Sequence, residues 1–201
     1  MDRKTFWNEA ARWGLILGAL LSLSFILEDR ITHSGNLGTY VWFLLEWPAA
    51  VALHIWLLFR FVRQCRASYP AEVGFTFGQG YGAVMGVSLL AGVIVGVVQT
   101  VYLHLIIGYA NYLQSTVDSL IGMLSDGTGR IPKGFEAYIT QLIKQIQETP
   151  EPSVLSTFMG ALFSTLFVAA IFGLIVAGCS SRRPRPFGDG RGEFHQEDAT
   201  E

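Results

Sequence analysis

The sequence predicts an all-α fold: a four-span transmembrane helical bundle with an extracytoplasmic amphipathic helical hairpin between spans three and four. Three observations predict it. Only 15% of the 201 residues are charged while 51% are hydrophobic, and mean hydropathy is +0.39, whereas soluble domains carry about 25% charged residues. Four apolar stretches reach the roughly 17–25 residues that a bilayer-spanning helix requires. Lysine and arginine are segregated among the connections between those stretches.

The first span covers about Phe6 to Leu27, with its strictly apolar part starting at Trp13. No small-residue cleavage site follows it, and Asp2 and Glu9 occupy what would be the positive region of a signal peptide, so it reads as a retained helix. The second span, about Thr39 to Val62, contains Glu46, Pro48 and His54 within an apolar run. Pro48 lacks a backbone donor and frees the carbonyl of Leu44, so a kink is expected there. The third span runs from about Phe77 to Ile107, long enough for its start to lie in the interface. Between Gly108 and Pro152, Tyr109, Leu113, Val117, Leu120 and Leu124 recur at helical spacing, and so do Phe135, Ile139, Leu142 and Ile146. SDGTGRIP, residues 125–132, interrupts the pattern. Two amphipathic helices over about 109–148 are therefore expected, burying their apolar stripes against each other or on the bilayer surface. The fourth span covers about Val154 to Cys179. Residues 1–180 form one membrane domain, and 181–201, rich in arginine, glycine and acids, read as a disordered cytoplasmic tail.

Ten of the fourteen basic residues fall in the N-terminal segment, the second connection and the tail. Both termini and the second connection are thus expected on the cytoplasmic side. Cys65 and Cys179 then lie at the cytoplasmic boundary as reduced thiols. The scattered cysteines and histidines show no zinc spacing, and no cofactor is expected. A net charge of −2 gives no basic surface for nucleic acid. GQGYGA, residues 78–83, matches a dinucleotide-binding pattern, but no strand precedes it and no acid follows at the required distance.

Small residues carry the packing signal. Gly82, Gly86, Gly92 and Gly96 share one face of the third span in two GxxxG motifs, GAVMG and GVIVG. The fourth span offers Ser156, Gly160, Ser164, Ala169 and Gly173. Close packing of these two spans is expected, with self-association through the same face as the competing use. Ionisable groups inside a span are costly and face partners in the bundle interior. Glu46, Gln99, Tyr102 and His104 are expected to meet in the outer half of the bundle. Glu46 is read as a structural residue bonded to Gln99 or a histidine, with a protonatable or cation-binding role as the alternative. No nucleophile–base–acid set is visible, so no enzyme is expected.

With the spans laid out, FRFVRQCRASYPAEVGFTFGQGY, the glycine-rich third span, the long polar loop and a last span ending in Ser-Ser-Arg-Arg together resemble the bacterial membrane-protein family called domain of unknown function 4199. The entry to the third span, Phe75-Thr76-Phe77-Gly78-Gln79-Gly80, carries part of the likeness, which covers about residues 6–183. The resemblance implies a four-helix protein of the bacterial inner membrane, and it implies no reaction and no catalytic residues. The function expected is non-enzymatic: a structural or accessory subunit in the lipid bilayer, associating with itself as a homo-oligomer or with another membrane protein. The alternative is a small transporter or channel component using Glu46.

Overall fold

The computed structural model describes residues 3–33, 37–70, 72–126 and 133–183. Among them are six α-helices and no strand: α1 Arg3–Thr32, α2 Leu37–Ala67, α3 Phe77–Thr100, α4 Tyr109–Asp126, α5 Lys133–Glu148 and α6 Val154–Ser180, with a π-helical segment, Val101–Ile107, continuing α3. Four stretches are long and apolar enough to cross a membrane: Arg3–Thr32, Leu44–Ala67, Phe77–Ile107 and Val154–Ser180. The expected turn at 127–132 and the expected disorder from 184 onward lie outside the described residues.

α3 is the central helix and packs most extensively on α6, then on α1. Small residues allow both approaches. On the α6 side, a Cβ at Gly92 would stand 2.9 Å from Leu162 Cδ1, and one at Gly96 would stand 2.8 Å from Phe158 Cδ2. On the α1 side, Ala10, Gly14, Gly18 and Ser22 are all buried at four-residue spacing. A Cβ at Gly14 would meet Leu90 Cβ at 2.7 Å, and one at Gly18 would meet Ile94 Cβ at 2.8 Å. The expected four-glycine packing face is therefore divided. Gly86 faces only the Phe6 ring of α1, at 3.6 Å, and nothing lies within 4 Å of a Cβ at Gly82. α6 crosses α3 so that it meets Gly80, Gly92 and Gly96 and leaves Gly82 outside the crossing.

One end of the bundle is closed by polar contacts. The Trp13 indole donates to Gln64 Oε1 at 3.0 Å, and the Gln64 amide donates to Glu9 Oε2 at 3.0 Å, joining α1 to α2. Gly74 adopts φ 75°, and Phe75 then pairs with Arg182 in both directions, at 2.9 and 2.8 Å. The Arg182 guanidinium also donates to the carbonyls of Tyr69 and Pro70, each at 3.3 Å. Thr76 and Gln79 form a reciprocal capping box that starts α3. The start of α1, the α2–α3 connection and the end of α6 thus share one end of the bundle. α2 runs through Pro48 without interruption.

α4 and α5 pack together, with Val117 and Ile139 buried and Tyr109, Leu113, Leu142 and Ile146 lining the groove between them. The sequence predicts one continuous α-helix over 77–107, but the turn widens at Val101 and the segment ends at Gly108 with φ 82°. The i→i+5 bonding of a π-helix changes the direction in which Tyr102 and His104 leave the helix.

Candidate functional site

The site is built where α1, α2, α3 and α6 surround a cavity of about 280 Å³. α1 contributes Leu21, Ser24, Phe25 and Glu28, and α2 contributes Trp47 and His54. α3 adds Val95 and Gln99, and α6 adds Ser164, Thr165 and Phe172. None of the lining residues is lysine or arginine. Ser24 lies eight residues before the end of α1, about 12 Å at 1.5 Å per residue, so the cavity sits well inside the apolar span.

The carboxylates reach this region from two helices. The Ser24 hydroxyl donates to Glu46 Oε1, and Glu46 Oε2 has no hydrogen-bond partner. Glu28 lies close enough to Glu46 and Asp29 to feel both charges, that of Glu46 more strongly. His54 is only 4% exposed and its Nε2 has no hydrogen-bond partner. Its ring packs edge-on against Phe172 at 5.6 Å. A buried ring nitrogen without a partner forgoes a hydrogen bond that water would have supplied, and here it belongs to a residue on the wall of a cavity.

A smaller cavity, about 190 Å³, shares Phe25 and Glu28 with the first and adds Asp29, Thr32, His33, Tyr112 and Thr116. Asp29 is buried, and its Oδ2 accepts from the Tyr102 hydroxyl at 2.6 Å. His33 Nδ1 stands 2.8 Å from the Asp29 carbonyl and 3.0 Å from Asp29 Oδ1, while Nε2 stands 3.0 Å from Thr116 Oγ1. The exposed Arg30 also lies near Tyr102. This network ties α1 to the π segment and to α4. Beside it, burial, followed by the charge of Asp29, raises the Tyr112 phenol above its usual value of 10.0. Tyr109 is raised likewise, by burial and then Glu151.

The four residues expected to converge take different partners. Glu46 bonds Ser24, Gln99 lines the larger cavity, and Tyr102 bonds Asp29. His104 turns to α6, with Nε2 at 2.9 Å from Thr157 Oγ1 and its ring stacked on Tyr109. Tyr102 and His104 are two residues apart and so leave the helix on different sides. Glu28 is a second acid near Glu46 that the sequence reading did not single out. Glu28, Asp29 and His33 were missed because the first span was ended at Leu27, and Ser24, inside that span, carries no charge to mark it. The signal was present in Leu27-Glu28-Asp29-Arg30 and in His33, one helical turn beyond Asp29 on the same face.

Chemically, a carboxylate on a cavity wall without lysine or arginine attracts positive charge, more strongly in a medium of low dielectric. Among the described residues, no group of three His, Cys, Asp or Glu is placed to hold a metal ion. A family model described as a protein of unknown function, DUF4199, matches residues 12–179. No curated protein and no solved structure matches the chain.

Proposed function

Because the chain belongs to the DUF4199 family of proteins of unknown function, we propose a function from its own cavity: a small, non-enzymatic, multi-span membrane protein that takes up a positively charged or protonatable solute and serves as a transporter or channel component. The observation that carries this reading is Glu28 on the wall of a cavity lined by no lysine or arginine, where the lining Ser24 also bonds the Glu46 carboxylate. Self-association was the competing use of the glycine face. Gly92 and Gly96 lie against α6, so that part of the face is occupied within the chain, and this moves the weight from docking to the cavity.

The proposal includes an orientation. Both termini and the α2–α3 connection face the cytoplasm of a bacterial inner membrane, and α4 and α5 form a hairpin on the opposite face. Arg60, Arg63, Arg66, Arg182 and Arg183 support it, all lying toward the end of the bundle that holds the Phe75–Arg182 pairing. Impermeant maleimide labelling of single cysteines checks it: Gln145→Cys reacts from outside intact cells and Cys179 does not.

The functional test is flux. The protein is reconstituted in liposomes, and uptake of protons, rubidium and choline is compared with protein-free liposomes and with Glu46→Gln and Glu28→Gln. At least one cation is expected to enter faster through the wild type and to lose most of that advantage in the variants. Rates equal to empty liposomes for all three, together with a stoichiometric membrane partner in a mild-detergent pull-down, would return the chain to the accessory reading.

A further inference from the structure

The cavity also carries information about which cation it suits, an inference that rests on the reading just given. A proton needs only one carboxylate and no cavity of about 280 Å³. A hard metal ion is usually held by several charged oxygen ligands converging on one point; Glu28 is the one carboxylate lining this cavity, and among the described residues no group of three His, Cys, Asp or Glu is placed to hold a metal ion. The wall consists mainly of aromatic and aliphatic groups: Phe25, Trp47 and Phe172 from three different helices, with Leu21, Val51, Val95 and Val168 between them. Polar groups are few. Glu28 is the lining carboxylate, and Gln99, Ser24, Ser164 and Thr165 provide neutral dipoles. His54 presents a buried nitrogen without a partner at the same wall.

Apolar walls with a few placed polar groups are the usual composition of a small-molecule site. Aromatic rings beside a carboxylate are what an alkylated ammonium ion recognises, because its charge is spread over methyl or methylene groups that lose little on leaving water. We infer that the ligand class of this cavity is a small organic ammonium ion, held with its charge toward Glu28 and its alkyl groups against Phe25, Trp47 and Phe172. Trp47 is more than half exposed, so it forms the outer wall of the cavity and its replacement leaves the buried core intact.

The test is calorimetric titration of the full-length protein in nanodiscs with choline. The controls are its neutral isostere 3,3-dimethylbutan-1-ol, potassium and magnesium. Saturable choline binding is expected, with the isostere at least about tenfold weaker, the ratio that 1.4 kcal/mol of lost charge interaction gives. Glu28→Gln is expected to weaken choline binding by about tenfold or more. Trp47→Leu is expected to weaken it by about three- to tenfold, with Trp47→Phe restoring part of the loss, since phenylalanine keeps a π face. Circular dichroism and gel filtration confirm that each variant is folded. Equal binding of choline and its isostere, or insensitivity to both Glu28→Gln and the Trp47 pair, overturns the inference. Glu28-dependent binding of potassium or magnesium without choline binding also overturns it, yet leaves the broader cation reading standing. No signal with any cation and no flux in liposomes overturns both.

Discussion

Adding one methyl group at Gly18 or at Gly82 has opposite expected consequences, and the difference isolates the α1–α3 contact. Both glycines are inside helices, so each change to alanine gains about the same helix propensity, roughly 1 kcal/mol. At Gly82 nothing lies within 4 Å of the new Cβ, and Gly82→Ala is expected to be stabilising or neutral. At Gly18 the new Cβ stands 2.8 Å from Ile94 Cβ and 3.0 Å from the Ala91 carbonyl. The second of these is backbone, so one helix must move. Overpacking of this kind costs about 1–3 kcal/mol. Since the propensity gain is common to both variants, the stability gap between them equals the overpacking term, about 1–3 kcal/mol. Gly14→Ala, with Leu90 Cβ at 2.7 Å, belongs with Gly18→Ala. The assay is unfolding by sodium dodecyl sulfate titration in mixed micelles, followed by circular dichroism. Gly18→Ala as stable as Gly82→Ala would refute the claim that α1 is seated on α3 through its small residues.

Tyr102→Phe leaves the buried Asp29 carboxylate without its 2.6 Å donor, and a loss of about 1–3 kcal/mol is expected in the same titration. Asp29→Asn, which keeps an oxygen acceptor, loses less. Arg182→Ala removes two guanidinium bonds to the Tyr69 and Pro70 carbonyls and is expected to cost about 1–2 kcal/mol, whereas Phe75→Ala, which empties a site 1% exposed, costs about 3–5 kcal/mol. The raised Tyr112 phenol sets a pH dependence. Folding holds the neutral form, so its contribution is fully present below the ordinary value of 10.0 and falls as pH rises above it. Beyond the acceleration that base catalysis gives every amide, hydrogen exchange of α4 is expected to accelerate as pH rises above 10.0 in the wild type, and Tyr112→Phe removes that excess.

The four spans and the two amphipathic helices were legible because hydropathy and helical periodicity act over long windows and tolerate single exceptions. What was not legible depended on single residues or on partners distant in sequence. The first span was ended at the first charged pair, yet Glu28 and Asp29 continue the helix and point to partners on α2 and the π segment. The Gly14–Gly18 pair is itself a GxxxG motif, GLILG, and was passed over because the richer third span drew the packing argument. Gly82 shares its face with Gly86 by angle alone, but only the crossing of α6 decides which glycines are covered. The widened turn at Val101 follows from no local propensity, whereas the separation of Tyr102 from His104 was already implied by their spacing, since residues i and i+2 do not share a helix face. Glu46 stood out in the sequence as a carboxylate within an apolar run, and its partner Ser24 is too ordinary a residue to stand out with it.

The place of α6 in the fold has a consequence for biogenesis. α6 covers one side of α3 and supplies Ser164, Thr165 and Phe172 to the cavity, yet it leaves the ribosome after α1–α5. While the nascent chain waits, α1–α3 can already pair through Gly14 and Gly18, but the Gly92–Gly96 face and Gln99 meet lipid or an insertase instead of a helix. The same delay keeps Phe75 without Arg182 until α6 has been made. The α3 glycine face, the cavity wall and the Phe75 pairing are therefore all completed by one helix.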